Sequence, residues 1–304
     1  MVTVRERLKK INIQGSLRYL EPMKFHTTFQ IGGPADIFYT PKDLNDFFLL
    51  HSFAKAEGIP LFLLGRGANI LVSDKGIRGI VVDMKSLNGC TLQENTITAL
   101  AGTEIDHLVE TTLKEGLSGL EFLYGMPGTV GGSVWINARC YGTSISDRLF
   151  EVTILDEKDT LTTLSIDPSE FDYKISPFQK RRVPIVSATF SLSHGPREEI
   201  EAEMKARVQD RQRKGHYTAP CAGSVFKNCR DFGEPSGKII DSLGLKGFSL
   251  GGAQIAPFHG NIFLNISNST AREMRTLIQY VQEEVRIKTG FSLEPEILFV
   301  GEWD

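Results

Sequence analysis

Apolar residues recur at helical spacing in "DLNDFFLLHSFAKAEG", which stops at Gly58, and the residues that follow, "IPLFLLG", form an unbroken apolar run of strand length. The pair predicts a helix feeding a buried strand, because i, i+3, i+4 recurrence makes one apolar helix face, while a short continuous run suits a strand covered on both sides. "GIVVDM" (79–84) and "TITALAG" (96–102) read as further strands, and "EIDHLVETTLKEG" (104–116) as an amphipathic helix closed by Gly116. Apolar and polar residues alternate in "EVTILDEKDTLTTLSI" (151–166) on both sides of Glu157–Asp159, the pattern of a hairpin, and "VPIVSATFSLS" (183–193) is another strand. From Arg197 to Lys214 charge dominates, and "REEIEAEMKARVQDRQRK" predicts a helix bridging two lobes, with a boundary near residue 200. Beyond it come "SGKIIDSLGLKG", a helix N-capped by Ser236, a long helix over 270–288, and a last strand, "SLEPEILFVG" (292–301). Helices and strands are mixed throughout, so the chain is of mixed α and β class.

Two stretches break the periodicity. "GRGAN" (65–69) follows an apolar strand, and "YGMPGTVGGSVWINARCYG" (124–142) holds too many turn formers to be one regular element. Glycines allow backbone N–H groups to converge on anionic oxygens such as a pyrophosphate. Singly, the first could be a strand-ending turn and the second an Ω-loop. Together they predict a large phosphate-bearing cofactor. Neither G-x-G-x-x-G opening a helix nor G-x-x-x-x-G-K-[ST] occurs, which disfavours a Rossmann or P-loop enzyme.

Composition narrows the class. With 304 residues, 41% of them hydrophobic, the chain exceeds one core and suits two or three packed units. The net charge of −3 comes from 34 basic and 37 acidic residues mixed along the chain, so no long-range field favours nucleic acid or an anionic membrane. Cys90, Cys140, Cys221 and Cys229 form no C-x-x-C pair and no zinc-ligand pattern, so they read as free thiols and no metal is expected. A charged N-terminus without an apolar h-region, and no run near the ~18 residues of a membrane span, lead us to expect a soluble cytoplasmic protein.

Seven strings occur in the order of one family: "TTFQIGGPADIFYTP", "LGRGANILVSDKGIRGIVV", "GLEFLYGMPGTVGGSV", "NARCYG", "FDYKISPF", "AGSVFKN" and "LEPEILFVG". In these the chain resembles the UDP-N-acetylenolpyruvoylglucosamine reductase (MurB) family, from about residue 20 to the C-terminus, and specifically its short class without the tyrosine-loop insertion. The resemblance implies a vanillyl-alcohol-oxidase/PCMH-type FAD-binding fold of two lobes plus a C-terminal α+β substrate-binding lobe. The lobes would be 1–82 completed by 275–304, then 83–203, then 204–274. It implies NADPH-dependent reduction of UDP-N-acetylglucosamine enolpyruvate to UDP-N-acetylmuramate through FAD, by a chain for which a monomer is favoured. Another flavin oxidoreductase of this fold, or a non-catalytic nucleotide-sugar-binding relative, are the alternatives.

Hydride delivered to the terminal carbon of an enolpyruvyl ether leaves electron density beside the carboxylate, so the site needs cationic or hydrogen-bonding groups there and a proton donor for the adjoining carbon. By resemblance Ser224 is that donor, presented by a turn at Gly223, and Glu296 polarises the substrate acid, with Glu294 two residues earlier on the same strand face. Gly65, Arg66, Gly67, Ala68 and Asn69, with Met126, Pro127, Gly128, Thr129, Gly132 and Ser133, would hold FAD. Tyr141, Arg211, Lys214 and Asn228 would meet the nucleotide sugar, and His259 reads as structural. Two positions depart from the family. Lys174 stands in "FDYKIS" where the family has arginine, and keeps the charge without the planar fork that grips a carboxylate. Arg139 stands in "NARCYG" at a glycine position, where it is either a surface-pointing arginine or the source of the guanidinium that position 174 lacks.

Overall fold

In the computed structural model, which describes residues 4–8 and 11–303, Asp43 starts the first predicted helix: its carboxylate accepts the Asp46 N–H at 2.9 Å and Leu44–Ala56 follows. Asp46, buried at 4% exposure, takes the Tyr39 hydroxyl and the N–H groups of Gln14 and Lys42, so a carboxylate fastens the helix to the strand beside it. The apolar run becomes Leu61–Leu64, parallel to Ile77–Asp83 with Leu61 opposite Ile80. These two belong to a four-stranded sheet in the order Ser16–Pro22, Pro34–Thr40, Ile77–Asp83, Leu61–Leu64.

The hairpin forms as Leu149–Leu155 and Leu161–Ser165, with Leu155 opposite Leu161. It lies at one edge of a five-stranded antiparallel sheet that continues through Ile185–Ser191, Thr96–Leu100 and Cys90–Gln93. Ile97, Ala99, Val152, Ala188 and Phe190 pack from this sheet against Ile105, Leu108 and Val109 of the helix Ile105–Lys114. Two elements the periodicity missed lie between 124 and 142: a six-residue helix, Val130–Trp135, and a two-stranded hairpin, Arg139–Cys140 with Thr143–Ser144.

The chain divides into two compact units, Met1–Tyr19 with Ile37–Arg66 and Gly79–Val208, and Leu20–Asp36 with Gly67–Arg78 and Gln209–Asp304. In the second, Ala253–Ile255 and Phe263–Asn265 pair antiparallel, and the helix Ala271–Thr289 covers the core through Met274, Leu277, Ile278, Val281 and Val285. Thr270 caps it with a full capping box to Glu273, and Gly290 ends it at φ 76°.

Two expectations need correction. Ser236 is the first residue of Ser236–Ser242, not its cap; the preceding Pro235 is extended, and the Ser236 hydroxyl donates instead to the Lys227 carbonyl at 2.6 Å. The last strand is only Leu298–Val300, parallel to Ile70–Val72, and upstream of it Pro295 makes an isolated antiparallel bridge with Phe226. Glu294 and Glu296 lie just before the strand, on either side of Pro295.

Candidate active site

The first glycine loop runs from the end of Leu61–Leu64 to the start of Ile70–Val72, and it leaves no room for side chains at two points. A Cβ on Gly65 would sit 2.3 Å from the Thr129 hydroxyl, and one on Gly67, at φ 63°, would sit 2.3 Å from the His26 carbonyl. Gly65 thus lies directly against the second loop. Arg66 reaches the same neighbourhood and pairs with Glu104 at 2.6 Å, while Glu104 forms a backbone bridge with Thr129. The second loop is pinned from beneath: Ile105 N–H donates to the Gly128 carbonyl at 3.1 Å, Val130 N–H to Thr103 at 2.9 Å and Gly131 N–H to Ala101 at 2.8 Å. Thr129 and Ser133 are buried, whereas Pro127 and Gly132 face outward and a Cβ on Gly132 would meet only Thr129, at 3.6 Å.

These residues suit a phosphate-bearing cofactor. Side chains are excluded where backbone must come close, and the Thr28 hydroxyl, whose own N–H donates to the Gly67 carbonyl at 3.2 Å, is buried without a protein hydrogen-bond partner. Asn69 differs from the expected cofactor contact in one respect. Its side-chain amide donates to the Glu296 carbonyl at 3.1 Å, and its carbonyl accepts the Leu298 N–H at 3.0 Å. The end of the glycine loop is thereby fastened to the segment that carries Glu296.

Ser224 follows Gly223, whose φ of 70° and open surroundings make the predicted turn. One residue on, the Val225 carbonyl accepts the Glu296 N–H at 2.7 Å, so Ser224 and Glu296 ride on adjoining segments. Glu294 behaves differently: its side chain, 69% exposed, pairs with Lys227 at 2.5 Å. The clamp beneath Ser224 is Asn261, which the sequence reading missed. Its Oδ1 accepts the Phe226 N–H and its Nδ2 donates to the Phe226 carbonyl, both at 2.8 Å, in a site 3% exposed. An asparagine before an apolar strand reads as a turn residue, and only the fold brings it opposite Phe226.

Asn228, exposed, accepts the Ser236 N–H at 2.9 Å. Arg211 is buried at 9% exposure, and Lys214 is exposed and paired with Asp210 at 2.6 Å. Burial pushes His216 down to about 4, helped by the charges of Arg211 and Lys214 and by His259, whose ring lies 6.5 Å away. His259 is also held below the usual histidine range, first by burial and then by Lys214, and its Nδ1 accepts the Asn261 N–H at 3.1 Å. It is thus tied into the clamp, as expected of a structural histidine.

In the first unit, Lys174 occupies a corner where Asp172 and Ile175 exchange backbone bonds of 3.2 and 3.0 Å, and it adopts φ 59°. A lysine in the left-handed region is unusual for turn sterics, which favour Gly or Asn there. Asn137, itself at φ 50°, donates from Nδ2 to the Asp172 carbonyl at 2.9 Å and so ties this corner to the Arg139–Ser144 hairpin. Arg139 is exposed on that hairpin, and Tyr141 stands at its tip. All four cysteines are free thiols. Among the described residues no cluster of three His, Cys, Asp or Glu could hold a metal, and no helix is long and apolar enough to cross a membrane.

Comparison with known proteins gives two family matches: residues 35–165 match an FAD binding domain, and residues 215–300 match the UDP-N-acetylenolpyruvoylglucosamine reductase C-terminal domain. The chain is 44% identical to the UDP-N-acetylenolpyruvoylglucosamine reductase of Treponema denticola over 95% of both chains, and 41% identical to that of Borreliella burgdorferi over 97% of both. It is also similar to the crystal structure of the Thermus caldophilus enzyme (MurB), with a TM-score of 0.78, 30% identity, and coverage of 94% of this chain and 99% of that one.

Proposed function

Since the chain belongs to the UDP-N-acetylenolpyruvoylglucosamine reductase family, an FAD- and NADPH-dependent oxidoreductase family of peptidoglycan precursor synthesis, we propose that it reduces UDP-N-acetylglucosamine enolpyruvate to UDP-N-acetylmuramate with Ser224 as proton donor. The observation that carries this reading is the short backbone bond from Glu296 N–H to the Val225 carbonyl, 2.7 Å, beside the Gly223 turn. It keeps a hydroxyl and a carboxylate on neighbouring segments of one compact unit, as protonation next to a substrate carboxylate requires.

FAD, when bound, supplies the two-electron exchange between NADPH and the enolpyruvyl double bond. The chain's own groups do the rest. Gly65, Gly67, Ala68 and Asn69, the Thr28 hydroxyl, and the loop from Met126 to Ser133 hold the cofactor. Ser224 gives its proton to the carbon beside the substrate carboxylate. A hydroxyl is a weak acid, and it suffices because that centre is strongly basic once it carries the electron pair. Glu296 and Lys174 act on the substrate acid, and Tyr141, Arg211, Lys214 and Asn228 hold the nucleotide sugar. The same reading takes the protein as a cytoplasmic monomer with lobes 1–82 (completed by 275–304), 83–203 and 204–274.

The test is NADPH consumption with the enolpyruvyl nucleotide for the parent and Ser224→Ala. The variant should keep its yellow cofactor and its reduction by NADPH, yet lose turnover by about 10²–10⁴-fold, the size of a general-acid contribution. A variant as fast as the parent removes Ser224 from this role.

A further inference from the structure

Tyr141 sits in a place where a tyrosine is conformationally expensive. Cys140 pairs with Thr143 and Arg139 with Ser144, so Tyr141 and Gly142 form a two-residue hairpin loop, and both have positive φ, 51° and 86°. That is the pattern of a type I′ turn, whose first position favours Asn, Asp or Gly because a Cβ is strained there. A bulky aromatic at this corner needs something that holds it. Its ring carries the Arg207 guanidinium, 4.2 Å from the ring centroid.

Arg207 is itself well placed to serve as a platform. Ile200 and Met204, i and i+4 on the helix Arg197–Arg213, are buried in the first unit's core, and Arg207 continues that stripe at i+7. Glu203, one turn before it, accepts from an Arg207 terminal nitrogen at 2.7 Å. The Arg207 Nε is buried and has no hydrogen-bond partner in the protein, so hydrogen bonding alone does not account for the placement of this side chain. Stacking on Tyr141 does. Immediately before the turn, the Cys140 thiol lies 3.7 Å from the Met126 sulfur, which fastens the turn to the second glycine loop.

We infer that Arg207, steadied by Glu203, is a positioning residue that holds Tyr141 as a fixed aromatic surface for the nucleotide sugar. The inference rests on the proposed contact between Tyr141 and that substrate. A planar guanidinium lying on a ring restricts the tyrosine's rotamers before ligand arrives, so binding need not order it. The signature of such a role is a rise in KM and in the dissociation constant with kcat nearly unchanged, since the reacting atoms are untouched.

The experiment is a double-mutant cycle on the FAD-loaded enzyme, read as KM for the enolpyruvyl nucleotide and, independently, as the dissociation constant of UDP-N-acetylmuramate by calorimetry. Arg207→Ala should raise both by about three- to fivefold, the scale of a partly exposed cation–π contact, with kcat within about twofold. Arg207→Lys, which keeps the charge but not the plane, should fall between. Tyr141→Leu should raise both constants further, and in its background Arg207→Ala should add nothing, because the two act as one unit. If Tyr141→Leu weakens binding while Arg207→Ala does not, or if the two effects multiply, the positioning role is wrong and the substrate contact stands. If Tyr141→Leu changes neither constant, the contact is wrong and Arg207 has nothing to act through. Should Arg207→Ala fold poorly, Arg207→Gln keeps much of the stem and carries the same expectation.

Discussion

Asn261→Ala should be among the most damaging single substitutions near Ser224. The side chain is buried and makes two hydrogen bonds of 2.8 Å to one residue, the Phe226 N–H and carbonyl. Removing it strands two backbone groups beside a phenyl ring that is fully buried and packed edge-on against Phe263 at 5.9 Å. Each unsatisfied buried group costs about 1–3 kcal/mol, and partial entry of water recovers some of this, so the loss for the two should be about 2–4 kcal/mol. The bond from Val225 N–H to the Asn261 carbonyl, 2.9 Å, is backbone and survives. Urea unfolding followed by circular dichroism, compared at equal m-value, measures the loss. Asn261→Asp sharpens the test. An ionised carboxylate there still accepts from the N–H but faces the Phe226 carbonyl with no proton to share, so its pKa is raised on folding. The variant should therefore gain stability relative to the parent as pH falls, because protonation restores the donor. In both variants kcat should fall more than KM rises, since Ser224 lies two residues from the loosened clamp. A loss under about 1 kcal/mol for Asn261→Ala, with unchanged kcat, would refute the reasoning.

Four further outcomes follow from the site. Glu296→Gln should cut turnover by about 10²-fold or more, whereas Glu294→Gln, which breaks only the exposed pair with Lys227, should leave it within about twofold; equal effects would undo the choice between them. Gly65→Ala should lower the flavin retained per polypeptide on purification, because its Cβ meets the Thr129 hydroxyl at 2.3 Å, and Thr129→Ala in the same chain should restore part of it. If Arg139 supplies the guanidinium missing at position 174, Arg139→Ala should slow turnover and Lys174→Arg should recover it; an unaffected Arg139→Ala enzyme ends that idea. His216 is held down to about 4, below its ordinary 6.5, so between those values the unfolded chain takes up a proton that the folded one refuses. Stability should fall as pH drops through that window, by on the order of 2 kcal/mol after solvent screening, and His216→Gln should flatten the dependence in urea titrations at pH 7 and pH 5.

What the sequence by itself determined is local. The Leu44–Ala56 and Ala271–Thr289 helices, the 149–165 hairpin and the Gly223 turn were legible because periodicity, a capping residue or a glycine settles each within a few neighbours. The family's ordered strings carried the cofactor, the reaction class and the candidate residues in the same way. Only the tertiary structure decided which of those residues hold one another. Asn69 turned out to brace the Glu296 segment across 227 positions, Asn261 to clamp Phe226 across 35, and Arg207 to lie on Tyr141. It also showed Glu294 to have a partner of its own, an exposed pair with Lys227. The physical reason is range: backbone conformation answers to adjacent residues, whereas a buried amide finds its partner only after chain folding has brought distant segments together and excluded the water that would otherwise satisfy it.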